Sequence, residues 1–177
     1  MVMEGRIPTI ERHRDAYIKI RIIESLQELQ LAVRLLKEGF SRNAASKVFM
    51  AWKAMISALV VANLEKMPRD DKEREWYIKT GFLAPTTGLK GISQRLEELG
   101  YKVLDLTSTA LALHRYSYNG LYRGASDYAT REEAIRDIQH VAKELLRLIR
   151  EYLSKYWDDE IEENYRAAEK LLNELKL

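Results

Sequence analysis

A chain of 177 residues, 46% apolar and 32% charged, can bury a sizeable core beneath a well-solvated surface, which excludes an intrinsically disordered protein. With no cysteine it has no disulfide, no thiolate metal site and no cysteine nucleophile. Residues 1–156 carry 26 basic against 20 acidic side chains, a net of +6, and residues 157–177 carry 3 against 7, a net of −4; this diffuse pattern falls well short of the dense positive field of a dedicated nucleic-acid binder and reads first as solvated surface.

Only 3 prolines and 8 glycines interrupt the chain, so helical periodicity dominates. The first helix is expected after Thr9, a side chain able to cap free amides, with an apolar stripe of Ile10, Tyr17, Ile20, Ile23, Leu26, Leu29, Val33 and Leu36. Gly39 is placed to close it, after roughly 28 residues or ~42 Å. Ser41 is expected to cap a second helix, "RNAASKVFMAWKAMISALVVANLEK", with Pro68 just beyond its end. Its small residues (Ala44, Ala45, Ala51, Ala54, Ser57, Ala58, Ala62) permit close approach of neighbours and mark it as the central, most buried helix.

Residues 68–101 read as an insertion of two short helices. Asp70 or Asp71 caps the first, carrying Trp76, Tyr77 and Ile78. "TGFLAPTTG" is a loop, and Thr86 or Thr87 caps the second, closed by Gly100. A third long helix is expected from about Val103 or Asp105 to about Tyr122 and contains "LALHRYSYNGLYRG". "GASD" breaks it, and "TREE" (Thr130 to Glu133) is a capping box opening a strongly amphipathic helix with Ala134, Ile138, Val141, Leu145, Leu148, Ile149 and Tyr152. A last helix, from about Asp159 to Leu175, carries Ile161, Tyr165, Ala168, Leu171 and Leu172. No segment alternates as a strand does.

These elements predict an all-α protein: an antiparallel up-and-down four-helix bundle over about 9–155, with two short inserted helices (68–101) and an acidic C-terminal helix (158–177), in a single domain spanning 1–177. The N-terminus lacks an apolar run fit for a signal peptide. No window approaches 18 uncharged apolar residues, and "MISALVVANL" is too short to cross a bilayer, so a cytoplasmic protein without membrane contact is expected.

Metal chemistry finds little support. Asp137 and His140 share a helix face, but a di-iron bundle needs a Glu-x-x-His on each of two helices and a glutamate from each of two more, and those are missing. Neither a phosphate-binding glycine loop nor a His-Glu-x-x-His is present, and "TGLKG" resembles neither loop, so no metal and no cofactor is expected. Ser108 and Ser117 share a helix with His114 without forming a recognisable nucleophile–base pair. The third long helix is richer. If helical throughout, it places Arg115, Asn119, Tyr122 and Arg123 on one face and His114, Tyr118 and Leu121 on the next. An arginine beside tyrosines and an amide can grip a phosphate while bases stack on the rings; the same aromatics can equally fill a wet subunit interface.

The order of helices, the Ala-rich "RNAASKVFMAWKAMISAL" and the "LALHRYSYNGLYRG" stretch resemble the HEPN-like bundles, and within them the archaeal PaREP family, whose chains carry Leu-His followed by an aromatic and a Tyr-x-Gly. Here those are Leu113, His114, Tyr116, Tyr118 and Gly120. The resemblance covers about residues 9–155. It implies a dimeric helical bundle, often an endoribonuclease linked to toxin–antitoxin or defence systems, with an arginine followed four to six residues later by a histidine, in the form Arg-Asn-x-x-x-His-x-Tyr. In that motif the histidine acts on a ribose 2′-hydroxyl and the arginine steadies the phosphate. This chain departs from the pattern. If Arg115 stands for the family arginine, Tyr116 replaces the asparagine, Gly120 occupies the histidine position, Tyr122 matches the final tyrosine, and the nearby His114 precedes the arginine. Arg6 and His13 match the spacing literally but straddle a proline.

The resemblance therefore implies a non-catalytic HEPN-like homodimer that binds RNA, a nucleotide or a protein partner. Arg115, Tyr118, Asn119, Tyr122 and Arg123 are its candidate binding residues. A divergent metal-independent endoribonuclease using His114 with Arg115 is the alternative, and a purely structural dimer a second one.

Overall fold

The computed structural model describes residues 10–175, and every regular element among them is helical. In chain order the α-helices are α1 (Arg14–Lys37), α2 (Ser41–Ala62), α3 (Asp71–Lys79), α4 (Leu89–Glu98), α5 (Leu104–Asn119), α6 (Arg131–Leu153) and α7 (Asp159–Asn173). Single 3₁₀ turns lie at Gly81–Leu83 and Ser154–Tyr156.

The helix ends follow local chemistry. Gly39 adopts φ +89° and donates to the Leu36 carbonyl at 3.1 Å, while Phe40 donates to that of Leu35 at 2.9 Å. This pair of bonds satisfies the last carbonyls of α1 and needs a left-handed residue where glycine sits. Gly100 and Tyr101 close α4 with the same two bonds, to Glu97 and Leu96. Asp70, Thr130 and Asp158 each accept from the amide three residues on, and Glu133 completes the box at Thr130. Two expected caps differ. Ser41 lies inside α2 and turns its hydroxyl into the protein, and Gly88, not Thr86 or Thr87, precedes α4. Thr9 lies outside the described residues.

α2 is the central helix, packed along its length against α1 and also against α5, α6 and α4. Fifteen of its 22 residues are buried, because alanines at 44, 45, 51, 54 and 58 let neighbours close in. At the α1 contact Ser25 Oγ donates to the Ala51 carbonyl at 2.7 Å. By length and composition α2 could cross a membrane, but 78% of its most apolar window is buried inside this fold.

The face that α1 presents differs from the expected stripe. Ile18, Ile22, Leu26, Leu29 and Val33 enter the core, whereas Ile20 is 62% exposed. Apolar residues lie on more than one side of α1, and packing against α2 and α7 selects among them. The 68–101 segment also contributes to the core. Leu89, Ile92 and Leu96 of α4 are buried, and Trp52 Nε1 donates to Thr107 Oγ1 (2.9 Å), which bonds Ser93 (2.7 Å), tying α2, α5 and α4 through one satisfied buried network.

Candidate functional site

α5 ends at Asn119, three residues short of the expected boundary. Gly120 takes φ +57°, ψ −128°, and its amide still reaches the Tyr116 carbonyl at 2.8 Å. Beyond it the chain turns twice, with Tyr122 donating to Asn119 and Ala125 to Tyr122. Arg115, Asn119, Tyr122 and Arg123 therefore do not share a helical face, since the last two lie in the turns. The glycine read as sitting inside the helix is the residue that stops it.

Most polar groups at this end hold the structure together. Arg115 makes a forked ion pair with Asp127, Nε to Oδ2 at 2.8 Å and Nη2 to Oδ1 at 3.0 Å. That hydrogen-bonded pair raises the arginine's pKa and lowers the aspartate's. Asn119 Nδ2 donates to the Ala125 carbonyl at 2.9 Å. Tyr116, expected only as part of a motif, is buried and shares a 2.8 Å hydrogen bond with Ser41 Oγ, which also accepts from Arg131 Nε at 3.1 Å. Arg131 Nη2 reaches the Gly39 carbonyl at 2.6 Å, so the start of α6 is pinned to the α1–α2 turn.

His114 is placed differently from Arg115. Consecutive helical side chains diverge by about 100°. The imidazole stacks on Phe49 of α2 (centroids 4.2 Å, 26°) and meets Tyr118 edge-on at 5.1 Å. Burial, and after it Lys53 and Arg115, push its pKa below the ordinary value of 6.5, so the ring is neutral at pH 7. Neither serine serves it as a nucleophile. Ser117 Oγ donates to the His114 backbone carbonyl at 2.6 Å, and Ser108 Oγ bonds Lys90 and the Leu104 carbonyl. Asp137 is taken by the Tyr128 hydroxyl at 2.7 Å, His140 is exposed, and among the described residues no three groups able to hold a metal converge.

The residues left free are the aromatic ones. Tyr118 and Tyr122 are 72% and 75% exposed, with Leu121 beside them. An open groove next to Tyr118 is lined by Arg42, Asn43, Ser46, Ser117 and Tyr118. Arg42 donates from Nε to the Ser117 carbonyl at 3.2 Å and from Nη2 to that of Tyr118, capping the C-terminal carbonyls of α5 with a cation, as the helix dipole favours. Sequence reasoning missed this contribution from α2. A signal was present: α2 contains Arg42, Lys47 and Lys53 and no acidic residue, and of the seven positions it leaves unburied all but its last, Ala62, run as one helical stripe (42, 43, 46, 47, 50, 53).

No curated protein and no solved structure matches the chain. The model of the archaeal PaREP1/PaREP8 family matches residues 20–139, from within α1 to within α6 and well over half of the chain, and the protein belongs to that family.

Proposed function

We propose that the chain is a HEPN-like, antiparallel up-and-down four-helix bundle of α1, α2, α5 and α6 that works in the cytoplasm as a homodimer. In this reading the end of α5 binds single-stranded RNA without cutting it. The observation that carries the proposal is the exposure of Tyr118 and Tyr122, two large rings left in solvent, with Arg42 lining the groove beside Tyr118 and the exposed Arg123 next to Tyr122 in the chain. Base stacking on an aromatic ring contributes about 1–3 kcal/mol and tolerates any sequence, and flanking cations supply phosphate attraction. The lack of cleavage is supported by His114 and Arg115, which point apart: one ring is stacked on Phe49, and the other side chain is closed on Asp127 and has no fork free for a phosphate.

The test is fluorescence anisotropy with a labelled oligouridylate at low salt. Tyr118→Ala with Tyr122→Ala is expected to weaken binding by about tenfold or more. Unchanged affinity, or no affinity in the wild type, overturns the RNA reading and leaves a structural dimer. If the double variant changes the sedimentation of the protein from dimer to monomer while RNA affinity stays the same, the rings belong to the subunit interface. Cleavage of bulk RNA by the wild type that His114→Ala abolishes would install the endoribonuclease in its place.

A further inference from the structure

A second cleft opens between α1, α2 and the Gly81–Leu83 turn, lined by Arg21, Glu24, Met50, Lys53, Ala54 and Leu83. Its volume is about 160 Å³, ample for several waters. One wall is rigid. Arg21 Nε donates to Tyr17 Oη at 2.9 Å, that hydroxyl lies 2.7 Å from Ser57 Oγ, and Ser57 donates to the Phe82 carbonyl. This relay nails the turn to both helices and holds the guanidinium in place, with Glu24 on its Nη1.

The opposite wall is Lys53. Its ammonium donates to Thr86 Oγ1 at 3.3 Å and stands 5.7 Å from the centroid of Phe49. Among the described residues no carboxylate pairs with it, and burial and then the charge of Arg21 both push its pKa down. A half-buried ammonium facing a guanidinium, with one long hydroxyl contact and no counter-charge, is an incomplete arrangement. Glu24, the one acid among the described residues that line the cleft, is engaged by Arg21. What completes it is an anion with several acceptor oxygens, reached by the free N–H groups of Lys53 and of Arg21. Met50 and Leu83, both exposed, flank the mouth and offer apolar surface to whatever carries that anion.

We propose that this cleft binds a phosphoryl group, held by Lys53 and Arg21, with the sugar or base of the same nucleotide against Met50 and Leu83. The cleft joins the α5 end through an unbroken line of side chains: Lys53 over Phe49, Phe49 stacked on His114, and His114 against Tyr118. Where the phosphoryl group belongs to a strand stacked on Tyr118, the inference rests on the RNA reading; a free nucleotide is the other source of the same chemistry.

The test is thermal unfolding in inorganic phosphate against chloride at matched ionic strength, with wild type, Lys53→Met and Lys53→Arg. Lys53→Met keeps an apolar stem over Phe49, and its circular dichroism reports whether the fold is retained. Phosphate is expected to raise the Tm of the wild type and of Lys53→Arg. The half-saturating concentration should rise about tenfold or more in Lys53→Met, as the loss of a charge-assisted contact predicts. No phosphate-specific shift in the wild type, or an equal one in Lys53→Met, overturns the site. The source is read separately. A drop in oligouridylate affinity in Lys53→Met, with a salt slope smaller by about one, assigns the phosphate to RNA. Protection by AMP that Lys53→Met loses, with oligouridylate affinity unchanged, assigns it to a nucleotide. Protection through Lys53 in a protein that binds no oligouridylate keeps the cleft and removes the RNA reading. Oligouridylate binding through Tyr118 without phosphate protection does the reverse.

Discussion

Gly120 occupies a backbone conformation, φ +57° and ψ −128°, that is open to glycine and strained for an L side chain. Space is not the obstacle: an added Cβ would meet Arg42 Cδ at an ordinary 3.5 Å. Gly120→Ala is therefore expected to lower stability by about 1–3 kcal/mol in urea unfolding, entirely from the backbone. An unmoved midpoint would mean that the turn relaxes freely. The same strain bears on the site, because Gly120 ends the helix that carries Arg115 and Tyr118. His114 gives the second residue-scale prediction. Its folded pKa lies below 6.5, so as pH falls through that value the unfolded chain takes up a proton that the partly buried ring resists. Stability is full above 6.5, declines below it, and levels off once the folded ring is also protonated. His114→Phe keeps a ring on Phe49 and removes this loss. Between about pH 7.5 and 5.5 the wild type should lose more Tm than the variant, and parallel profiles would show that the ring titrates alike in both states.

Two hydroxyl residues look alike as helix starts and work differently. Thr130 caps α6 by accepting from the Glu133 amide, a local arrangement spelled out by "TREE", and Thr130→Ala should cost about 1 kcal/mol. Ser41 has the same appearance before α2, yet its hydroxyl joins Tyr116, which is 75 residues away, and Arg131, which is 90 away. Ser41→Ala leaves the buried Tyr116 hydroxyl without its partner, so its cost should reach about 1–3 kcal/mol, and Tyr116→Phe in the same chain should recover part of it. A double variant no more stable than Ser41→Ala would refute the pairing. This contrast marks what was legible. Helix positions, the caps at Asp70 and Thr130, the closing glycines 39 and 100 and the centrality of α2 are written in residues within a few positions of each other. The end of α5 was legible too, in Gly120, but the polar residues beyond it continued the helical spacing and masked the stop. The pairs Arg115–Asp127 and Arg42–Tyr118, and the Arg21–Lys53 cleft, depend on how distant segments meet, which no local period encodes.

At the scale of the whole molecule, the charge asymmetry of the sequence becomes contact between α7 and the body. Asp158 pairs with Lys19 at 3.2 Å, Glu162 with Arg150 at 3.4 Å, and Glu174 with Lys37 at 3.0 Å. These pairs are solvated, and exposed ion pairs contribute little because water screens them and ordering two long side chains costs entropy. Beneath them Ile161, Tyr165, Ala168 and Leu172 are buried by α7 packing on α1 and α6, and Arg150 lies over the Tyr165 ring at 4.3 Å. Removing apolar surface from water contributes about 1.5–3 kcal/mol for each large side chain, a substantial part of the roughly 5–15 kcal/mol that stabilises a domain. Burial rather than charge therefore holds α7, although this helix lies beyond the residues the family model matches. The two mechanisms separate under salt. Raising sodium chloride to about 0.5 M shortens the screening length to a few ångströms and should leave the unfolding midpoint nearly unchanged. Ile161→Ala, at a position with no solvent exposure, should cost about 2–5 kcal/mol at either salt concentration. If α7 were held by its carboxylates the order would invert: salt would lower the midpoint, and Ile161→Ala would barely move it.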